Sequence, residues 1–172
     1  HLDRMIDTVQ AAGCDRVVVV VGTHSPAVRA RVEERLGGAA VAVQTEPLGT
    51  AHAVLAARGA LADFDGDVLI TYADAPLLTA PDLEPLFALR EQGVDLAMLA
   101  FEPVDPLLYG RVIKGADGHV IRIVEARDAT PEEKAVKSCN AGMMCADRAR
   151  LFGWLGQVGN QNAKGEYYLT DI

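Results

Sequence analysis

Residues 68–78 read VLITYADAPLL, and this stretch decides how the rest of the chain is interpreted. The apolar run at 68–70 is typical of a buried strand, which ends on the acidic residue Asp74. Pro76 prevents the strand from continuing. A carboxylate in this position lies at the carboxyl edge of the sheet, where open α/β sheets bind ligands. Asp74 is therefore a candidate ligand for a hard cation such as Mg2+, which in turn binds phosphates.

Strand and helix patterns alternate around this stretch. The first part of the chain predicts strands separated by helices, with short connections. The predicted helices cover residues 2–12, 25–36, 49–61 and 82–92, and the predicted strands cover residues 16–21, 40–44 and 67–72. Such alternation indicates a parallel sheet that is covered by helices on both faces.

The second part of the chain has a different pattern. A strand is predicted at 95–101, and two short strands at 112–113 and 119–124 are joined through Asp117-Gly118, a strong hairpin signal. A further strand at 137–145 precedes a helix. We therefore predict an α/β fold with a doubly wound, mostly parallel sheet and a mixed, hairpin-bearing second half, all in one domain.

Composition restricts the class of protein. The 172 residues are half hydrophobic, which is typical of a globular domain, and the net charge is -8. An acidic chain of this kind argues against a nucleic-acid or membrane-surface partner, and its apolar runs are too short to cross a bilayer. The three cysteines, Cys14, Cys139 and Cys145, lack the spacing of metal ligands, so we expect reduced thiols and a cytoplasmic protein.

The loop QTEPLGTAHA at 44–53 is the first candidate binding segment. Gly49 permits close backbone approach, and the amides at the start of the following helix can bind an anion or a base edge. The alternative is a well-capped loop without a ligand. His52 is expected to pack or to form a hydrogen bond, without a catalytic role.

Polar residues beside apolar strand residues recur further along the chain. They occur at 109–111, 124–125, 139–142 and 165–171. Polar groups held among apolar walls are typical of a sugar site, because sugar hydroxyls need hydrogen-bond partners. Taken singly, each is more often a turn glycine, a surface glutamate or a buried amide.

Six segments together resemble the uridylyltransferase domain of the bifunctional GlmU family. They are QTEPLGTAHA, TYADAPLL, YGRVI, IVEARDAT, CNAGMM and NAKGEYYLTDI, in that order between Leu2 and Ile172. The resemblance implies a Rossmann-like, GT-A-like nucleotidyltransferase. It also implies uridylyl transfer from UTP to N-acetylglucosamine 1-phosphate, giving UDP-N-acetylglucosamine and pyrophosphate for cell-envelope precursors.

The resemblance also implies site residues and Mg2+ as the cofactor. Nucleotide contacts fall on Gln44, Gly49, Thr50, Tyr72, Ala73 and Asp74. Asp74 is implied to be the catalytic metal ligand. N-acetylglucosamine contacts fall on Gly110, Glu125 and Asn140, and positions near the sugar and phosphate fall on Tyr168 and Thr170.

Several family features are not found in these residues. The family usually has Gly at the position of Ala73 and Thr at the position of Ala141. Its first strand, glycine-rich loop, nearby lysine, second metal-binding asparagine and β-helix acetyltransferase domain have no counterpart here. We therefore expect residues 1–172 to be one nucleotidyltransferase domain that lacks both of its ends and is inactive alone. The resemblance implies a homotrimer in the full-length protein, assembled through the acetyltransferase domain.

Two alternatives stay open. One is another sugar-1-phosphate nucleotidyltransferase, for example one that uses glucose 1-phosphate or dTTP. The other is a non-catalytic module that binds a nucleotide sugar. A glycine-rich loop followed by a lysine in the preceding sequence would favour the enzyme over the module.

Overall fold

The computed structural model describes residues 1–73 and 78–172, so Asp74 and its predicted metal site lie outside the described residues. The helices are α1 (Leu2–Ala11), α2 (Pro26–Leu36), α3 (Thr50–Ala56), α4 (Ala80–Glu91), α5 (Pro131–Lys134) and α6 (Arg148–Leu155). The strands are β1 (Val19–Gly22), β2 (Val41–Gln44), β3 (Asp67–Ile70), β4 (Leu96–Phe101), β5 (Arg111–Lys114), β6 (Val120–Val124) and β7 (Cys139–Asp147).

Strand β7 lies at the centre of a five-stranded sheet. Met144 of β7 lies opposite Ile70 of β3 on one edge and opposite Met98 of β4 on the other. Both pairings are antiparallel, so β3 and β4 run in the same direction with β7 reversed between them. The β5–β6 hairpin joins at the start of β7, where Arg111 lies opposite Cys139.

The predicted α/β class and the hairpin-bearing second half are confirmed by this arrangement. The strand directions are more mixed than the predicted, mostly parallel sheet. Among the pairings between described residues, only β1 with β2 is parallel. Two features account for the difference. Strands β1 and β2 form a separate two-stranded sheet, and β7, which comes from the second half of the chain, inserts between β3 and β4.

The predicted boundaries differ from the structure in two places that matter for the site. The helix predicted at 49–61 ends at Ala56 and is followed by a 3-10 turn at Gly59–Leu61, since glycine is a poor helix former. Strand β3 ends at Ile70, so Tyr72 and Ala73 lie beyond it.

Side chains of β7 alternate between two cores, as the period of a strand requires. Met144 and Ala146 pack in one core, together with residues of α3 and α6. Met143 and Cys145 pack in the other, together with residues of α1 and α4. Helices therefore cover both faces of the sheet, as predicted. No helix in the described part of the chain has the length and apolarity to span a membrane.

Candidate functional site

The loop between β2 and α3 is held closed by Gln44. Its side-chain amide donates a hydrogen bond to the carbonyl oxygen of Gly49 at 3.2 Å. The same nitrogen lies 2.9 Å from Nδ1 of His52. His52 therefore has the hydrogen-bonding role that the sequence predicted, and Gln44 fixes both ends of the loop.

Residues 166–170, here called the closing segment, lie across this loop. The backbone of Tyr167 donates to the carbonyl of Leu48 at 2.7 Å and accepts from the N–H of Ala51 at 2.9 Å. A Cβ atom on Gly49 would lie only 2.5 Å from the carbonyl oxygen of Tyr167, at a backbone φ of +110°. Glycine is required there because no other residue permits this approach.

Side chains of the closing segment alternate in direction. Tyr167 and Leu169 pack against one of the two cores. Tyr168 and Thr170 lie on the side of Glu125, and the hydroxyl of Thr170 donates a hydrogen bond to Oε1 of Glu125 at 2.9 Å. One short segment thus contacts the loop of the predicted nucleotide residues and the predicted sugar residues.

Gly110 and Asn140 lie next to Glu125. A Cβ atom on Gly110 would lie 3.5 Å from both carboxylate oxygens of Glu125, so the missing side chain leaves room beside the carboxylate. The N–H of Asn140 donates to the carbonyl of Gly110 at 2.8 Å. The side-chain oxygen of Asn140 accepts a hydrogen bond from the N–H of Gly142 at 2.9 Å. The structure therefore brings together all five predicted sugar-site residues.

Tyr72 connects the end of β3 to this group. Its ring packs on Gly142, where a Cβ atom would lie 2.6 Å from Cε2 of Tyr72. The adjacent Ala73 is exposed. Asp74, the predicted metal ligand, lies outside the described residues. Within residues 1–73 and 78–172 no cluster of three or more His, Cys, Asp or Glu side chains could hold a metal ion.

Two cavities share Glu125 and Tyr168. The smaller has a volume of about 170 Å³ and is also lined by Leu108, Ala126, Arg127 and Lys164. The larger has a volume of about 370 Å³, and its lining includes Asp128 and Thr170. Burial raises the pKa of Tyr168, and the carboxylate of Asp128 raises it further. Tyr168 is therefore a neutral hydroxyl at pH 7.

Arg111 is a residue whose role the sequence analysis missed. Its side chain is buried, with the residue only 4% exposed. The guanidinium donates to the carbonyl oxygens of Pro106, Leu107 and Lys134, each at 3.3 Å, and to that of Tyr109. Arg111 therefore fixes the loop before Gly110. The sequence signal for this role is an arginine at the start of an apolar strand, where a buried guanidinium must bind backbone carbonyls.

Comparison with known proteins identifies the family of the chain. Residues 1–151 match the family described as MobA-like NTP transferase domain. Bifunctional protein GlmU of Caulobacter vibrioides is 55% identical over 172 residues, which cover 99% of this chain and 37% of that protein. Bifunctional protein GlmU of Maricaulis maris is 48% identical over 171 residues, which cover 99% of this chain and 37% of that protein. The chain spans a little over one third of the length of these relatives.

A solved structure shares the fold. The crystal structure of UDP-glucose pyrophosphorylase complexed with UDP-glucose superposes with a TM-score of 0.70 at 15% identity. The match covers 98% of this chain and 71% of the other. The resemblance to GlmU sequences and the prediction of a nucleotidyltransferase fold are thereby confirmed. The chain belongs to the family of MobA-like NTP transferase domains.

Proposed function

We propose that this chain is the part of a GlmU-type enzyme that transfers a uridylyl group from UTP to N-acetylglucosamine 1-phosphate. The products are UDP-N-acetylglucosamine and pyrophosphate. The observation that carries the proposal is the closing segment, which joins the loop of Gly49 and Thr50 to Glu125. A transfer between two substrates needs both to be held side by side, and this segment contacts both predicted subsites. The 55% identity to one GlmU protein supports the choice of substrates.

The proposed reaction does not require the protein to supply a strong general base. A phosphate monoester is already an anion at pH 7, so the attack on the α-phosphate of UTP needs no strong general base. Catalysis rests on positioning and on neutralisation of charge. Glu125 is suited to positioning, since a carboxylate accepts several hydrogen bonds and Thr170 uses one of them. The remaining acceptor positions can bind hydroxyl or amide groups of the sugar.

Mg2+ belongs to the proposal through Asp74. The neighbouring Tyr72 and Ala73 supply no carboxylate, so the residues that the structure describes do not by themselves fit the ion. Held by Asp74, Mg2+ would neutralise charge on the phosphates. From the same resemblance we also propose that the enzyme is cytoplasmic. We further propose that the full-length protein forms a trimer through an acetyltransferase domain, and its sedimentation would test the trimer.

The deciding experiment is an assay of pyrophosphate release by the full-length protein. UTP and dTTP are each paired with N-acetylglucosamine 1-phosphate and with glucose 1-phosphate. We expect the highest kcat/KM with UTP and N-acetylglucosamine 1-phosphate. A preference for glucose 1-phosphate or dTTP would favour another sugar nucleotidyltransferase. Binding of nucleotide sugar without any pyrophosphate release would favour a non-catalytic module.

A further inference from the structure

Two basic side chains line the smaller cavity beside Glu125. Arg127 and Lys164 both form part of its wall. Neither forms an ion pair with any residue in the described part of the chain. Most other arginines are paired with carboxylates, namely Arg16, Arg29, Arg31, Arg35, Arg90, Arg122, Arg148 and Arg150. In a chain with a net charge of -8, two cations without a carboxylate partner in one cavity are available for an anionic ligand.

The turn that carries Lys164 is built around the side chain of Asn162. Its amide oxygen accepts hydrogen bonds from the N–H groups of Lys164 and Glu166, each at 3.2 Å. Its amide nitrogen donates to the carbonyl of Glu166 at 2.6 Å. The turn is therefore defined by one side chain, which fixes the backbone from which Lys164 extends.

Asp128 anchors this turn to the end of β6. Oδ1 of Asp128 accepts a hydrogen bond from the N–H of Ala163 at 2.9 Å. The N–H of Asp128 in turn donates to the carbonyl of Glu125 at 2.9 Å. Glu125, Arg127 and Lys164 are thus tied to one short stretch of backbone.

We propose that Arg127 and Lys164 bind the phosphate group of the sugar phosphate, while the neighbouring Glu125 binds the sugar. This inference rests on the proposed function. Glu125 and the exposed side chains of Arg127 and Lys164 line the same cavity, so hydrogen-bond acceptors for hydroxyl groups and cations for a phosphate are both available to one ligand. A guanidinium binds phosphate through paired N–H groups, and an ammonium adds a point charge. A cavity of about 170 Å³ has room for such a group, since one water needs only about 10–15 Å³.

The test uses the full-length protein with Arg127→Gln and Lys164→Gln. The matched controls are Arg58→Gln and Lys137→Gln, which remove the same charge from exposed side chains away from both cavities. We expect each test variant to raise the KM for the sugar phosphate roughly tenfold, the effect of one lost hydrogen bond to a charged group. The KM for UTP and the KM for pyrophosphate in the reverse reaction should stay unchanged, as should all constants of the controls.

The same variants distinguish the possible sources of the phosphate. A rise confined to the KM for pyrophosphate would assign the site to that product and overturn the assignment to the sugar phosphate. An unchanged KM for the sugar phosphate would overturn it as well. If a glutamine variant is shown by circular dichroism to be unfolded, Arg127→Lys and Lys164→Arg replace it. We expect these to keep the charge and most of the affinity, and a loss as large as that expected for glutamine would contradict a charge-based role.

Equilibrium binding separates failure of this inference from failure of the proposed function. N-acetylglucosamine 1-phosphate and N-acetylglucosamine are titrated calorimetrically into the wild-type protein and into both glutamine variants. We expect the wild type to prefer the phosphorylated sugar and the variants to lose this preference, even if wild-type protein releases no pyrophosphate. An equal loss of affinity for both sugars, or no loss for either, would overturn the phosphate site.

Discussion

The hydroxyl oxygen of Thr50 accepts a hydrogen bond from the backbone N–H of Leu169 at 2.8 Å, although the two residues are 119 positions apart. Leu169 is only 1% exposed, so its N–H depends on this oxygen. The start of α3 and the end of the described chain therefore form one structural unit.

Replacement of Thr50 by Val should destabilise the fold. Valine keeps the shape but removes the acceptor, and a buried N–H left unpaired costs about 1–3 kcal/mol. Urea denaturation would measure the lower free energy of unfolding. Thr50→Ser keeps a hydroxyl and should lose much less. A valine variant as stable as the wild type would show that the bond to Leu169 contributes nothing.

Gly49→Ala should be more damaging. The new Cβ would lie 2.5 Å from the carbonyl oxygen of Tyr167, on a backbone with φ +110°. Strain and displacement together should cost about 2–4 kcal/mol in the free energy of unfolding. Gly153→Ala is the control, since it lies in α6 with no atom within 4 Å of its Cβ position. It should stabilise the protein by about 0.5–1 kcal/mol, and equal effects of the two changes would contradict the role of Gly49.

Glu125→Ala and Asn140→Ala should weaken the sugar substrate far more than UTP. Both residues lie beside Gly110, in the group that we assign to the sugar. A lost hydrogen bond costs about 0.5–1.5 kcal/mol, and more where one partner is charged. Michaelis constants for both substrates in the full-length enzyme measure the difference. Equal rises in the two constants would show that these residues do not distinguish the sugar from the nucleotide.

Asp74→Asn should abolish Mg2+-dependent turnover while leaving the fold intact. A neutral amide is a much weaker ligand than a carboxylate for a hard cation. Pyrophosphate release across a range of Mg2+ concentrations, with circular dichroism as the control for folding, tests the prediction. Near-normal activity at saturating Mg2+ would remove Asp74 from the metal site.

Stability should fall in alkaline solution because of Cys145. Burial raises the pKa of this thiol from 9.0 to about 12, and Asp67 adds to the shift. As the pH rises through 9.0, the unfolded chain loses the proton while the folded chain keeps it, so stability present below pH 9 is lost between pH 9 and about 12. The wild type should lose up to about 1.4 kcal/mol per pH unit more than Cys145→Ala. Urea denaturation from pH 8 to 11 measures this, and parallel pH profiles would contradict it.

The sequence predicted the elements well, because each carries local signals. Ser25-Pro26 marks the start of α2, and Asp117-Gly118 marks the β5–β6 hairpin, and the structure has both. The partner of each strand is not a local property. Nothing in residues 137–145 indicates that this strand pairs with both β3 and β4, and that pairing is what makes the sheet mixed.

In the candidate site, too, the sequence predicted residues but not the long-range contacts between them. The predicted sugar residues are near one another, but the sequence could not show that Gly49 and Thr50 contact the closing segment. Asp128 was also missed, since its bond to Ala163 joins residues 35 positions apart. Contacts of this range depend on the finished fold, and motifs report only which residue types are present.

The alternation along the closing segment sets a strict limit on its length. Tyr167 and Leu169 face the core while Tyr168 and Thr170 face Glu125. Leu169–Asp171 forms a 3-10 turn with three residues per turn, so one inserted or deleted residue would rotate the side chains that follow it by about one third of a turn. Such a change would move Leu169 out of the core or Thr170 away from Glu125, so we expect single-residue length changes here to be more damaging than conservative substitutions.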